Sequence, residues 1–247
     1  MLNPESTLVP FQASSLPPSP WLVFAPHGDD ETFGLGGSLL RAKEAGFEIS
    51  LIVMTDGALG GTEENLVDIR QREVMRAAGL LGISRQFFWS EPDRGLDFCP
   101  RLVDKVVAAI QELSPASVFF PGPMELHPDH RTAALLVWAG LRAIEHDRRP
   151  QAYSYEISVQ SPVNSLIDIS DHVRGKQEVM AVYASQNSQN DYPDLVLSLN
   201  KARTYTLPDE VTYAEALYRF NAAQLQLELA DVLEQHVALY LCRDTAG

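Results

Sequence analysis

WLVFAPHGDDETFGLGGSLLRAKEAGFEISLIVMTDG, residues 21–57, is the stretch that decides the fold. Trp21–Ala25 is an unbroken apolar run of strand length, ended by Pro26. Within Gly34–Gly46, the leucines at 35, 39 and 40 are spaced for one helix face. Ile49–Met54 is a second apolar run, broken by Thr55-Asp-Gly57. Strand, helix and strand in that order predict the first unit of a parallel sheet.

The pattern repeats outward from this unit. Glu64 to Leu81 has helical spacing, with Gly82 as its stop, and Gln86–Trp89 is a third strand. Leu102–Leu113 predicts a helix and Ser117–Pro121 a fourth strand. The next helix opens at Pro128, a favoured first-turn position, and runs to about Ile144. Gln151–Val159 reads as a fifth strand, and Asp171–Tyr183 and Tyr213–Leu241 as further helices. The expected fold class is α/β, a Rossmann-like, mainly parallel sheet with helices on both faces. The expected organisation is a Ser- and Pro-rich arm over 1–20, followed by one domain over 21–247, a length that one α/β domain can fill.

Composition narrows the function. Hydrophobic residues make up 45% and charged residues 21%, as in ordinary globular proteins, which excludes a disordered or fibrous chain. The 19 basic and 33 acidic residues leave a net charge of −14 with no compensating basic run, so nucleic acid and anionic membrane are excluded as expected partners. Cys99 and Cys242 stand outside any metal-ligand spacing and read as reduced thiols. No basic segment followed by an apolar run opens the chain, and no apolar stretch reaches the roughly 20 residues of a membrane span. A cytoplasmic protein is the expectation.

Chemistry-bearing residues collect after the strands. His27-Gly-Asp-Asp-Glu31 follows the first, Thr55-Asp-Gly57 the second and His127-Pro-Asp-His130 the fourth. In open sheets of this type, ligands bind beyond the carboxyl ends of the strands. Gly28 suggests a turn with backbone angles closed to other residues, and Asp29, Asp30 or Thr32 could simply cap the following helix. His127 and His130, at i and i+3, project to neighbouring positions and are a common start for a metal site. One added carboxylate gives a two-His-one-carboxylate set, which suits zinc with an open position and also non-haem iron(II).

Pro26-His-Gly-Asp-Asp-Glu31 with Gly34-Leu-Gly-Gly37 resembles the signature of the LmbE-like, or PIG-L, family of zinc-dependent N-acetylglucosaminyl deacetylases. The resemblance continues through Thr55-Asp-Gly57, Arg70-Gln-Arg-Glu73, Ala77-Ala78, Leu81-Gly82, Asp93 and His127-Pro-Asp-His130, with a weaker echo in Lys176 and Tyr183-Ala-Ser-Gln186. It implies His27, Asp30 and His130 as ligands of Zn2+, Fe2+ or another divalent metal. It implies Asp29 as general base, His127 as the group that stabilises or protonates the tetrahedral intermediate, and Asp129 as the carboxylate orienting His127. Arg70 and Asp93 match positions that hold the sugar.

Two departures stand out: Gly28 where proline is commoner, and Glu125-Leu126 where some relatives offer an aromatic hydroxyl. His146, His172 and His236 show no partner spacing. The expected function is metal-dependent removal of an N-acetyl group from an N-acetylglucosamine-type amino sugar. The alternatives are an amidase acting on a sugar-thiol conjugate, a non-catalytic metal-containing sugar-binding protein, and an iron oxygenase, for which no co-substrate site is visible. The expected partner is a small amino-sugar molecule; a homo-oligomer is compatible with the sequence.

Overall fold

A computed structural model describes residues 2–59, 61, 64–187 and 191–241. Cys242 lies outside the described residues; Cys99 is a free thiol. The elements in chain order are α1 (Glu5–Leu8), β1 (Trp21–Ala25), α2 (Asp30–Glu44), β2 (Ile49–Thr55), α3 (Leu66–Leu81), β3 (Arg85–Glu91) and α4 (Pro100–Leu113). They continue with β4 (Ser117–Pro121), α5 (Pro128–Ala143), β5 (Gln151–Tyr155), β6 (Ser165–Asp168), α6 (Val173–Met180), α7 (Ala184–Asn187), α8 (Tyr192–Ala202), β7 (Ala214–Phe220) and α9 (Leu229–Leu241).

The strands form one sheet in the order β3-β2-β1-β4-β5-β7-β6. The five strands from β3 to β5 are parallel, while β7 runs antiparallel to both β5 and β6. Both faces are covered. Val23 and Ala25 of β1 pack with Leu35 and Leu39 of α2 and Val74 of α3. Leu22 and Phe24 face Leu102 and Val106 of α4 and Val137 of α5. Burial on both faces is why β1, β2 and β4 read as continuous apolar runs. The strand order reverses between β1 and β4, which pair with Val23 opposite Phe119. Such a switch point opens a crevice at the carboxyl ends of the two strands, and both histidine motifs leave from there.

The C-terminal third departs from the expected elements. The fifth strand ends at Tyr155 rather than Val159, and Ala214–Phe220, expected to be helical, is strand β7. Ala-Glu-Ala-Leu is helix-favouring, but here β7 fills the slot between β5 and β6, with Glu215 fully buried and satisfied. The Glu215 carboxylate accepts the Gly37 and Ser38 N–H groups of α2 and pairs with Lys176 Nζ at 2.7 Å. Lys176 also donates to the Phe33 carbonyl at 2.7 Å and to Asn200 at 2.9 Å. A Cβ on Gly37 would lie 2.6 Å from Ile169, so this face of α2 must be bare for the sheet edge to approach.

Candidate active site

The turn after β1 carries His27, and α2 begins immediately behind it. Asp29 is the residue before the helix, but its carboxylate makes no capping hydrogen bond, so the capping role is not realised. Gly28 does not need a left-handed backbone: its φ is not positive. It needs space, because a Cβ there would sit 2.3 Å from Val74 Cγ2 of α3.

Asp30 lies in the first turn of α2, where the helix dipole favours a carboxylate. Its Oδ2 accepts the His27 N–H at 2.8 Å and lies 3.2 Å from His27 Nδ1. Its Oδ1 is 3.3 Å from His130 Nε2, and the two ring nitrogens, His27 Nδ1 and His130 Nε2, are 3.3 Å apart. Donors arranged tetrahedrally at about 2.0–2.1 Å from zinc would be separated by roughly 3.3–3.4 Å. The two imidazole nitrogens have that spacing, and the Asp30 carboxylate reaches one with each oxygen, so the three side chains fit a divalent cation. Two wider groupings, His27–His127–His130 and His27–Asp93–His127–Asp129, keep their ligand atoms within 4.8 Å. The first brings no anion, and in the second Asp129 already accepts backbone N–H groups from Arg94 and Leu96. Asp30 stands outside both groupings but lies against His27 and His130 and would bring the missing negative charge.

Charge within the cluster follows from these contacts. Burial alone would lower His27, but the carboxylates of Asp129, Asp30 and Asp93 outweigh it and hold the ring well above its ordinary value. Burial likewise opposes the charge of His130, yet Asp30 and Glu125 raise it to about 9. Asp30 stays ionised against its burial because both rings face it. Asp29 goes the other way, pushed up to about 8 by burial and by the neighbouring Asp30 charge. Glu31, fully buried, accepts Tyr183 Oη–H at 2.5 Å and Thr32 Oγ1–H at 2.8 Å. Its burial raises it to about 7.

Asp129 corrects one expectation. Its carboxylate does not orient His127; Oδ2 lies 3.2 Å from His27 Nε2. Only its backbone N–H reaches His127, donating to Nδ1 at 3.2 Å. That bond assigns the proton of a neutral His127 to Nε2, and burial lowers the ring below its ordinary value. Asp93 Oδ1 is 3.5 Å from the same His27 Nε2, while Oδ2 accepts the Leu59 N–H. Arg70 is buried rather than a solvated helix charge; it donates to the Gly57 carbonyl at 2.6 Å and lies 3.8 Å from Asp93.

Glu125 has a place that spacing did not reveal. Almost fully buried, it accepts the Ile157 N–H at 2.8 Å, the Ser158 N–H at 3.1 Å and the Ser158 hydroxyl. Its Oε2 faces His130 Nδ1 at 3.6 Å, an ion-pair distance rather than a hydrogen bond. The only signal was a lone acidic residue two positions before His127. Tyr183 and Ser185 also gain a physical reading. Tyr183 holds Glu31, and Ser185 donates through its N–H and hydroxyl to Glu73 of α3. His146, His172 and His236 lie outside the cluster; His172 faces Glu44, and His236 packs on Tyr218.

The cluster opens into a cavity of about 770 Å³. Its lining combines the ionisable His27, Asp29, Asp30, Arg70, Asp93, His127 and His130 with Phe33, Ile157 and residues of α8. Cavities of about 450 and 340 Å³ lie elsewhere and contain none of these residues.

A doubly covered parallel sheet with a His–Asp–His cluster at its switch point defines the class. Residues 22–141 match the family described as PIG-L: GlcNAc-PI de-N-acetylase, in keeping with the resemblance to the PIG-L, or LmbE-like, deacetylases that the sequence motifs carry. Among characterised proteins the chain is 28% identical over 183 residues to a probable N-acetyl-alpha-D-glucosaminyl L-malate deacetylase 2 of Bacillus anthracis, covering 67% of this chain and 80% of that one. It is 27% identical over 187 residues to a diacetylchitobiose deacetylase of Thermococcus kodakarensis, covering 67% and 69%. The structure of N,N'-diacetylchitobiose deacetylase from Pyrococcus horikoshii superposes with a TM-score of 0.74 at 22% identity, over 86% of this chain and 88% of that one, a likeness of fold. Among the described residues, no helix is long and apolar enough to cross a membrane.

Proposed function

We propose that this chain is a zinc-dependent N-deacetylase that removes the acetyl group from an N-acetylglucosamine-type amino sugar. The observation that carries the reading is the Asp30 carboxylate set against two imidazoles, Oδ2 at 3.2 Å from His27 Nδ1 and Oδ1 at 3.3 Å from His130 Nε2, with those two nitrogens 3.3 Å apart, in a cavity that Asp29 and His127 also line. His27, Asp30 and His130 would hold the cation. Bound there, it would supply the Lewis acidity that makes water a nucleophile near neutral pH and polarises the amide carbonyl.

The remaining work falls to this chain's own residues. Asp29, next to Asp30 and free of capping bonds, takes the proton of the attacking water. Having taken that proton, the same carboxyl is placed to return it to the leaving amine. His127, with Nδ1 occupied by the Asp129 N–H, offers Nε2–H to the oxygen on which negative charge develops. Arg70 and Asp93, which also line the cavity, present a donor and an acceptor to sugar hydroxyls. The deacetylase names of both relatives support this assignment of reaction and sugar.

The test is acetate release from a panel of N-acetylglucosaminides by zinc-loaded protein, beside Asp29→Asn. Release that disappears on chelation, and falls about 10²–10⁴-fold in the variant, is expected. No release from any panel member by protein with one tightly bound zinc ion would overturn the assignment.

A further inference from the structure

The cavity is larger than an amino sugar, and the part of its lining that α8 supplies has a different chemistry. At about 770 Å³ it lies in the range that encloses drug-sized ligands. Beside the ionisable cluster, α8 contributes Leu195, Val196 and Leu199 to the lining at i, i+1 and i+4, a single helical stripe. Leu195 is 58% exposed, and Leu126, at the lip beside His127, is 72% exposed. Apolar side chains left uncovered singly on a convex surface mean little; gathered around a concavity they mark a binding surface.

Charge excludes an anionic group from this wall. Asp191 and Asp194 stand at the start of α8, and its one basic residue, Lys201, donates to the Thr212 carbonyl and packs over the Tyr213 ring. The Arg70 charge is already paired with Asp93, at 3.8 Å. Arg94, the remaining basic residue of the lining, stands in the loop after β3 and not on α8.

We infer that the α8 wall is a subsite for an apolar aglycone, an alkyl or aryl group attached to the amino sugar whose acetyl group faces the histidine cluster. This inference rests on the deacetylase reading for its sugar, but the wall can be tested without turnover. Calorimetry would compare zinc-loaded protein binding methyl, hexyl and octyl glucosaminides, in both anomers and below their micelle thresholds. The acetylated counterparts would be assayed for acetate release in parallel.

Affinity should rise with chain length, by up to about fourfold per methylene where the chain is fully buried, and KM of the acetylated series should fall in step. Leu195→Ser and Leu126→Ser, both at exposed positions, should flatten the dependence. Octyl binding no tighter than methyl, or preference for a chain ending in a carboxylate, overturns the apolar subsite whether or not acetate is released. A chain-length gain without acetate release keeps the subsite and overturns the deacetylase.

Discussion

Replacing Glu125 by glutamine changes one oxygen for one NH2 group and should cost most at an atom the residue does not touch. In the native chain one carboxylate oxygen receives the Ile157 and Ser158 N–H groups, and the other receives the Ser158 hydroxyl and faces His130 Nδ1 at 3.6 Å. His130 and Ser158 keep this carboxyl ionised despite its burial. That anion favours a proton on His130 Nδ1 and so leaves the lone pair on Nε2, the atom 3.3 Å from Asp30. A glutamine has two ways to lie. With its oxygen toward Ile157, its NH2 faces Nδ1, turns that nitrogen into an acceptor and drives the proton onto Nε2. Flipped, it sets NH2 against two backbone N–H groups. Either arrangement works against a cation, and loss of such an outer carboxylate lowers metal affinity by about 10–100-fold. At 1.4 kcal/mol per tenfold, this is about 1.4–2.8 kcal/mol. Competition of the metal-free protein with a chromogenic chelator for zinc would measure it, with thermal unfolding of the metal-free form as the control for folding. A zinc affinity within twofold of the native value, in a variant that unfolds at the native temperature, would refute the assignment of Glu125 as the positioning residue for His130.

Gly28→Ala should destabilise the fold by about 1–3 kcal/mol through overpacking against Val74, and adding Val74→Ala should recover part of that loss in urea unfolding; equal stability of the single variant and the native chain would contradict the steric reading. Lys176→Met leaves the Glu215 charge buried without its partner, a loss of about 3–5 kcal/mol, and the double variant Lys176→Met/Glu215→Gln should be the more stable of the two by the same measurement. If the double variant is instead the weaker, the pair is stabilising in its own right and the reasoning fails.

The parts legible in the sequence share a physical cause. A parallel strand covered on both faces has no polar side, so β1, β2 and β4 appear as apolar runs with abrupt polar ends, and those ends are where the ligand-bearing turns must lie. His27, Asp29, Asp30, His127 and His130 were therefore readable as one neighbourhood, and they do line one cavity. The antiparallel strands β6 and β7 gave no such signal. One is only four residues long, and the other carries a buried glutamate whose partners come from α2 and α6, remote in sequence. Asp129 was assigned to His127 because the two are near neighbours in the chain. The side chain instead crosses the crevice to His27, a choice made by the β1–β4 pairing. Glu125 belongs to no spacing rule, since its partners lie in the segment after β5.

The grip of Glu215 on Gly37 and Ser38, well inside α2, bears on how this chain can be cut and how it can vary. Residues 22–141 contain every member of the histidine cluster but none of the groups that fasten α2 from behind. A fragment ending at residue 141 would leave those two N–H groups and the Phe33 carbonyl without Glu215 and Lys176, on the helix that carries Asp30. The chemistry-bearing half is thus not portable by itself. In the rest of the chain, Leu195 and Leu199 are open to replacement as substrates change, whereas Glu215 and Lys176 are tied to the geometry at Asp30, so a graft that exchanges α8 has to keep both.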